Sequence, residues 1–550
     1  MICLELLSEA SLCLLPCTHT FHSNCVAELR KFGLEQVCPL CRVSLPPGPE
    51  KLFEEATRQY MFVHQLVSRG CATWSALPDF AQQKVNAAVE GWQAAAEEGH
   101  ALAQHNLGTV FENGHGVAQN DVEGVRWHKK AADQGSIDAL CAMGSRYTNG
   151  SGVVQNLEEA ARWYRKAADL GSAEAQCALG LRYMSGLGVP QNFEHTARWM
   201  TKAADQGFAP AQCTLASQYE NGSGVVQNSG KAVQWYKKAA DQGDAKAQCA
   251  LGSRYTNGSG VVQNLGEAAE WYRKAAEQGN AEAQCALGSR YTSGRGVPQN
   301  FEEAARWYKK AADQGIAQAQ HSLGSLYLNG HGVTRNFKES TRWYKKAADQ
   351  GFAPAQNYLG IAFETGRGVT KNDEAAARCY KKAAGQGDAD AQYSLGTFYD
   401  EGRGVAQSDA KAEQWYRKAA DQGSAEANFR LGLLYQNGRG VAKSDAEAAR
   451  RYKLAAEQGL DVAQCNLALF YESGRGVAQN HVEAARWLQK AADQGFAPAQ
   501  CNLGIFFEEG LGITQSYSEA AKWYKKAAQQ GHVQAQNELA RLIRDGNARR

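Results

Sequence analysis

A glycine returns every 36 residues, at Gly99, Gly135, Gly171, Gly207 and onward to Gly531, without a slip in register. A period of this length marks a supersecondary unit that cannot bury its apolar face alone and must stack on copies of itself. One unit reads Ser172-AEAQCALGLRYMSGLGVPQNFEHTARWMTKAADQ-Gly207, and local chemistry divides it into two helices. Ser172, or Asp244, Asn280 and Asp388 elsewhere, is suited to cap the first helix. Gly186-x-Gly188-Val189 then ends it and turns the chain. Asn192, or Asn156 and Asn300, caps the second helix, and Glu159 and Glu303 stand where a capping box would place them. The glycine closing each unit is the expected left-handed residue past a helix end. With 56 glycines against 11 prolines, the chain reads as helices ended by glycine rather than as a proline-rich disordered polymer.

Steps of 100° place Ala175, Leu179 and Tyr183 on one face of the first helix, with Gly180 at its flank where a neighbouring backbone can approach. Cys177, Leu181 and Met184 fall on the opposite face. In the second helix Ala197, Trp199 and Ala204 follow core spacing. Ten of the twelve tryptophans recur at the position of Trp199, from Trp127 to Trp523, with Cys379 and Arg451 as departures. An aromatic beside small alanines once per unit reads as core packing rather than a stacking platform for bases. The pairs Lys129-Lys130 and Lys345-Lys346 are offset by nearby acids and read as a solvated face.

Seven cysteines also recur once per unit: Cys141, Cys177, Cys213, Cys249, Cys285, Cys465 and Cys501. One thiol per unit supplies neither a disulfide partner nor a chelate, so these read as small residues on a helix face in a reducing compartment. Two positions drift along the array. Arg146, Arg182, Arg254 and Arg290 give way to Leu326, Phe398, Leu434, Phe470 and Phe506, and the cysteine position becomes Tyr393 and Phe429. Either the later units present an apolar surface to a partner, or the packing between neighbours changes.

The units resemble the Sel-one-like repeat, a relative of the tetratricopeptide repeat, through A-x-A-Q-x-x-L-G-x-x-Y, G-x-G-V and A-x-W-Y-x-K-A-A-x-Q-G. The resemblance covers residues 92–546, about twelve full units and a half unit at Gly531–Gly546. It implies an all-α helical-hairpin solenoid, a curved right-handed superhelix whose concave surface binds proteins. Some bacterial relatives carry a disulfide in each repeat, and the single cysteine here departs from that. Residues 46–91 form a helical linker and N-terminal cap. Within it, Pro46-Pro47-Gly48-Pro49 is stiff, Leu52, Phe53, Tyr60, Val63 and Leu66 have helical spacing, and Pro78–Glu98 shields the end of the array. Residues 547–550 are a tail.

The first 45 residues follow other rules. Cys17-Thr-His19-Thr-Phe-His22-Ser-Asn-Cys25 and Cys38-Pro39-Leu40-Cys41 present paired donors at chelating spacing. So short a segment with so few apolar residues needs metal binding to supply its folding free energy. The order of donors resembles the RING finger with histidine at the fourth and fifth ligand positions. That resemblance implies interleaved zinc sites: Cys17, His19, Cys38 and Cys41 hold one ion, and Cys3, His22 and Cys25 hold the other, which lacks one ligand. Many RING fingers open Cys-x-Ile-Cys-Leu-Glu, so the missing cysteine is expected immediately before Met1, with Met1 an internal residue of a longer protein. Cys13 has the wrong reach to replace it. The resemblance further implies a ubiquitin ligase that acts by positioning a ubiquitin-charged conjugating enzyme, without a covalent intermediate or a catalytic nucleophile of its own. Ile2, Pro39 and Leu40 would contact that enzyme, Leu29 takes a place often held by tryptophan, and Arg42 would clamp ubiquitin. Ordinary packing around zinc is the competing account of these residues, and it suits Leu29 best.

Net charge of +2 gives no electrostatic case for nucleic acid or a membrane surface. No apolar run approaches the roughly 18 residues of a membrane span, and the N-terminus lacks the basic segment of a secretory signal. A cytoplasmic or nuclear protein is expected. The leading reading is a RING-type ubiquitin-protein ligase whose array binds substrate or partner proteins. The alternative is a non-catalytic scaffold or adaptor with a defective finger. A hydrolase on the repeats is disfavoured, because near-identical modules such as GSRYTNGSGVVQNL at 144–157 and 252–265 lack the asymmetry that catalysis requires.

Overall fold

A computed structural model describes residues 47–546 and, within the first 46 residues, the backbone of two short strands. These strands, β1 (Leu12–Leu14) and β2 (Thr20–His22), pair antiparallel with Leu12 opposite His22 and Leu14 opposite Thr20. All other regular elements among the described residues are helices. The chain divides into two compact units, Met1–Lys274 and Ala275–Arg550.

In the first unit, Pro49 starts helix α1 (Pro49–Ser68) at a position where its missing N–H costs nothing. Helix α2 (Asp79–Glu97) packs along it so closely that a Cβ on Gly91 would lie 2.9 Å from that of Ala56. Val63 is buried as its spacing predicts, and Leu52, Phe53 and Tyr60 pack against the cluster around Trp92 and Leu107. The Trp92 indole is buried and donates to Thr57 Oγ1 at 3.0 Å. Helix α2 thereby covers the first repeat helix, Ala101–Asn113.

From there each repeat is a pair of 13-residue helices, such as Ala173–Ser185 and Phe193–Asp205 in the first unit and Ala389–Glu401 and Asp409–Asp421 in the second. The caps form where the sequence places them. Ser172, Asp244, Asn280 and Asp388 each accept from a backbone N–H three residues on, and Asn156, Asn192 and Asn300 do the same for the second helices. The capping box closes differently. The Asn156 N–H donates to the Tyr147 carbonyl at 2.9 Å, so Glu159 is free and pairs with Arg162 at 2.6 Å. Gly188 carries the turn between helices at φ 74°, and a Cβ there would lie 1.9 Å from the Leu157 carbonyl oxygen of the preceding repeat. No side chain fits at that crossing.

The free face of the first helix is a narrow stripe at Glu174, Leu181 and Ser185, which corrects the placing of Cys177 on it. Ala175, Cys177, Leu179, Arg182 and Tyr183 are all buried, and Leu181 is exposed. The group that approaches Gly180 is the Met200 side chain; in other repeats the corresponding group is a tyrosine ring, as at Gly360 and Tyr380, and not a neighbouring backbone. That tyrosine, one residue after the tryptophan, is the more deeply enclosed aromatic: Tyr380, Tyr416, Tyr452 and Tyr524 are fully buried. The tryptophans lie nearer the surface under a lysine three residues on, as with Lys238 Nζ 3.9 Å from the centre of the Trp235 ring. The second lysine of each pair is thus a cover for the core edge rather than a purely solvated charge.

Leu326, Phe398, Leu434, Phe470 and Phe506 are buried, so the drift toward apolar residues adds core and not surface. Tyr393 and Phe429 are half-buried against the rings of Tyr416 and Tyr452. No described cysteine is in a disulfide, and burial pushes the thiols of Cys177, Cys285, Cys465 and Cys501 up to about 11. They are protonated packing groups. No helix among the described residues is long and apolar enough to cross a membrane.

Candidate functional site

Cys3, Cys17, His19, Cys25, Cys38 and Cys41, with Ile2, Leu29, Pro39, Leu40 and Arg42, lie outside the described residues. Of the expected ligands, only the backbone of His22 is placed, at the end of β2. Residues 15–19, which include Cys17 and His19, connect the two strands. The donor set is thiolate and imidazole throughout, the chemistry that suits zinc. Among the described residues, no group of three or more His, Cys, Asp or Glu side chains is placed to hold a metal ion.

The array carries two polar systems that the sequence motifs contained without revealing their role. The glutamine of A-x-A-Q is buried in nearly every repeat and donates to a carbonyl eight residues earlier, as Gln176 does to Ala168 at 3.1 Å. The glutamine before the closing glycine then donates back to it, Gln206 Nε2 to Gln176 Oε1 at 2.8 Å. The same pair recurs at Gln350 and Gln320, and at Gln530 and Gln500. Each pair ties the first helix to both flanking second helices and satisfies a buried amide that would otherwise cost about 1–3 kcal/mol. The signal in the sequence was covariation inside one unit. Where Leu140 replaces the first glutamine, Leu170 replaces the second; where Asn428 does, Arg451 replaces the tryptophan and donates to Asn428 Oδ1 at 3.2 Å.

The second system links successive repeats through an acid at the end of the first helix. In the first unit Glu112 lies 2.7 Å from Arg146 and 3.2 Å from His128 Nε2, with the His105 ring 4.9 Å from that of His128. Gly124 makes the room, since a Cβ there would lie 2.5 Å from Glu112 Cγ. The His128 and Glu112 side chains are only 1% and 4% exposed, so no substrate reaches them. Arg254 pairs with Glu220 in the same way, and Arg182 reaches Thr148. In later repeats of the second unit an arginine sits in the turn instead. Arg403 bonds Glu364 at 2.8 Å and Asp373 at 3.4 Å, and Arg439 bonds Asp400 and Asp409 at 2.6 Å each. These contacts bind repeat to repeat, and none brings together a nucleophile, a base and an orienting group.

The sequence matches the Sel1 repeat family in twelve consecutive 36-residue spans from 101 to 532. The chain belongs to the Sel1 repeat family. Residues 1–42 also match the Ring finger domain. The crystal structure of c5321, a protective antigen of uropathogenic Escherichia coli with an SLR fold, is similar at 34% identity and a TM-score of 0.72. That similarity covers 83% of this chain and 97% of c5321. A Sel1 repeat protein from Oxalobacter formigenes is 33% identical over 55% of this chain and 88% of its own, with a TM-score of 0.45. Among curated proteins no match is found. The Sel1 repeats thus account for the helical pairs, and the Ring finger match falls on the segment rich in cysteine and histidine.

Proposed function

We propose that the chain is a RING-type ubiquitin-protein ligase. In this reading the finger holds two zinc ions, through Cys17, His19, Cys38 and Cys41 and through Cys3, His22 and Cys25. The zinc would be structural: it orders the segment so that Ile2, Pro39 and Leu40 contact a ubiquitin-charged conjugating enzyme while Arg42 steadies ubiquitin. Rate enhancement would come from orientation of the thioester toward a substrate lysine. The Sel1 repeats would supply the surface that selects substrate or partner proteins, in the cytoplasm or nucleus. The observation that carries the reading is the joining of a Ring finger match and twelve Sel1 repeats in one chain.

A second reading is a non-catalytic adaptor, which would follow if Cys3, His22 and Cys25 alone held their zinc, because a three-ligand site binds its metal less firmly than a closed four-ligand one. One assay separates them. The chain is mixed with activating enzyme, a panel of conjugating enzymes, ubiquitin and ATP, alone and as a variant with a cysteine added before Met1. Ubiquitin chains that vanish on Cys38→Ser support the ligase. Their absence in both forms leaves the adaptor. Zinc content near two per chain in the added-cysteine variant, against nearer one without it, would assign the incomplete site.

A further inference from the structure

In the second unit, a cavity of about 130 Å³ opens beside Tyr344, where two departures from the repeat pattern, Ala362 and Leu328, meet the apolar Phe337. Ala362 stands in the column that holds Leu326, Phe398, Leu434, Phe470 and Phe506, and the missing side chain leaves the space. Leu328 stands where other repeats carry an acceptor for the buried tyrosine. Tyr380 donates to Glu364 at 2.6 Å, Tyr452 to Gln436 at 2.6 Å and Tyr524 to Glu508 at 3.0 Å. The Tyr344 hydroxyl has no partner although the residue is only 2% exposed. Ser325 approaches it without meeting hydrogen-bond geometry, and burial pushes its pKa up. Phe337 stands where Asp373, Asp409 and Asp445 hold the turn arginines of the following repeats. Arg367 therefore has no ion pair among the described residues and stays exposed at the cavity edge.

The Tyr358 phenol of the lining is exposed to water, its ring stacked on that of Tyr344, and the three aliphatic hydroxyls are bonded to backbone. The Ser340 hydroxyl donates to the Gly324 carbonyl at 2.8 Å, Thr341 to the Phe337 and Arg367 carbonyls, and Thr365 to the Ile361 carbonyl. What is left is an apolar chamber with one unpaired phenol inside and one unpaired guanidinium at its edge. An unpaired buried hydroxyl costs about 1–3 kcal/mol, so it favours any occupant that offers an acceptor. A dry cavity of roughly 150 Å³ holds a single benzene ring, and guanidinium prefers carboxylate.

The geometry points to a binding site for a small aromatic carboxylate of the hydroxybenzoate class, its ring against Leu328, Phe337 and Ala362 and its carboxylate on Arg367. A ring hydroxyl meets Tyr344. This site is independent of the finger and of any ligase activity.

Titration of the full chain with benzoate, 3-hydroxybenzoate, 4-hydroxybenzoate and benzyl alcohol, followed by NMR, tests it. Saturable binding is expected at millimolar concentration or below, with one of the hydroxybenzoates tightest. Arg367→Gln should weaken the carboxylates roughly tenfold and leave benzyl alcohol unchanged. Tyr344→Phe should erase the preference for a hydroxyl. Ala362→Phe, or Ala362→Leu should the larger ring disturb folding, restores the neighbouring repeats' residue and should abolish binding while helicity is retained. No saturable binding of any probe, binding that survives filling at Ala362, or equal affinity for benzoate and benzyl alcohol would each overturn the assignment.

Discussion

The two compact units use one backbone and two chemistries. In Met1–Lys274 the first helix carries an arginine in three repeats, buried at Arg182 and half-buried at Arg146 and Arg254, and successive repeats are joined by the pairs Arg146 with Glu112 and Arg254 with Glu220. In Ala275–Arg550 that helix position keeps an arginine only at Arg290; Leu326, Phe398, Leu434, Phe470 and Phe506 fill it later, and beside Phe398, Leu434 and Phe470 an arginine stands five residues on in the turn. There Arg403 and Arg475 lie 4.5 and 4.8 Å from the ring centres of Phe398 and Phe470 and pair with Asp373 and Asp445. Moving the charge outward frees its old place for apolar burial while keeping an ion pair between repeats. Repeat stability in such arrays is a sum of local and nearest-neighbour terms, so the two halves should answer differently to the same kind of mutation.

The largest contrast should come from Phe398→Ala. The side chain is 1% exposed, and truncation of a buried phenylalanine costs about 3–5 kcal/mol. Hydrogen exchange on the full chain should show lost protection centred on residues 389–424 and its two neighbouring repeats, with the first unit unchanged. A loss below about 1 kcal/mol would mean that the late units are held by their turn ion pairs, and the comparison would fail.

Much of this was legible in the sequence, and the rest was hidden for a physical reason. Helix ends, caps and turns depend on residues within a few positions, so Ser172, Asn192, Gly186 and Gly188 announce them. Whether Arg182 or Phe398 is inside depends on the repeats to either side, because the first helix is enclosed by several neighbours and keeps only a narrow wet stripe, at Glu174, Leu181 and Ser185. A helical wheel drawn for one helix therefore assigned Cys177 to the outer side, where Leu181 is exposed but Cys177 is covered by a neighbour. The paired glutamines were visible as letters in A-x-A-Q and D-Q-G, but their partnership spans thirty residues and needs the fold to close it, as between Gln242 and Gln212. The finger is the opposite case. Its candidate donors are read from spacing and resemblance and lie outside the described residues except for the backbone of His22, so the structure adds only the pairing of β1 with β2.

A middle-sized effect should separate the ion pairs of the first unit from its packing. Arg254→Leu installs the residue type of the later repeats but leaves Glu220 facing Tyr236 without its cation. Loss of one partner of a charged hydrogen bond should cost about 1–3 kcal/mol. The double variant Arg254→Leu with Glu220→Gln should recover most of it, because an amide accepts from Tyr236 as Gln436 does from Tyr452. Both are read as local exchange protection over residues 209–257. If the double variant is no better than the single one, the polar and apolar solutions are not interchangeable, and the early arginines answer to something beyond packing.

The smallest effect concerns pH and compares two histidines at one repeat position. Burial lowers the pKa of both His105 and His321, but His105 has Asp138 and Glu112 pulling it back up, with His128 opposing them. His321 has neither ring nitrogen bonded and lies among the rings of Tyr344, Phe352 and Tyr358. A base whose pKa falls on folding is neutral in both states at pH 7.5, so no penalty exists there. As pH drops below the unfolded value near 6.5, the unfolded chain takes up a proton that the folded chain resists, and stability is lost until the folded pKa is passed. Exchange protection around residues 317–365 should therefore decline between pH 7 and pH 5, and His321→Cys, the residue type of the preceding repeat at Cys285, should flatten that decline. The matching change at His105 should flatten less, because its acids already hold the imidazolium in part. An equal response at both sites would show that burial alone sets these values and that the acids of the first unit are bound to arginine too firmly to act on a neighbour.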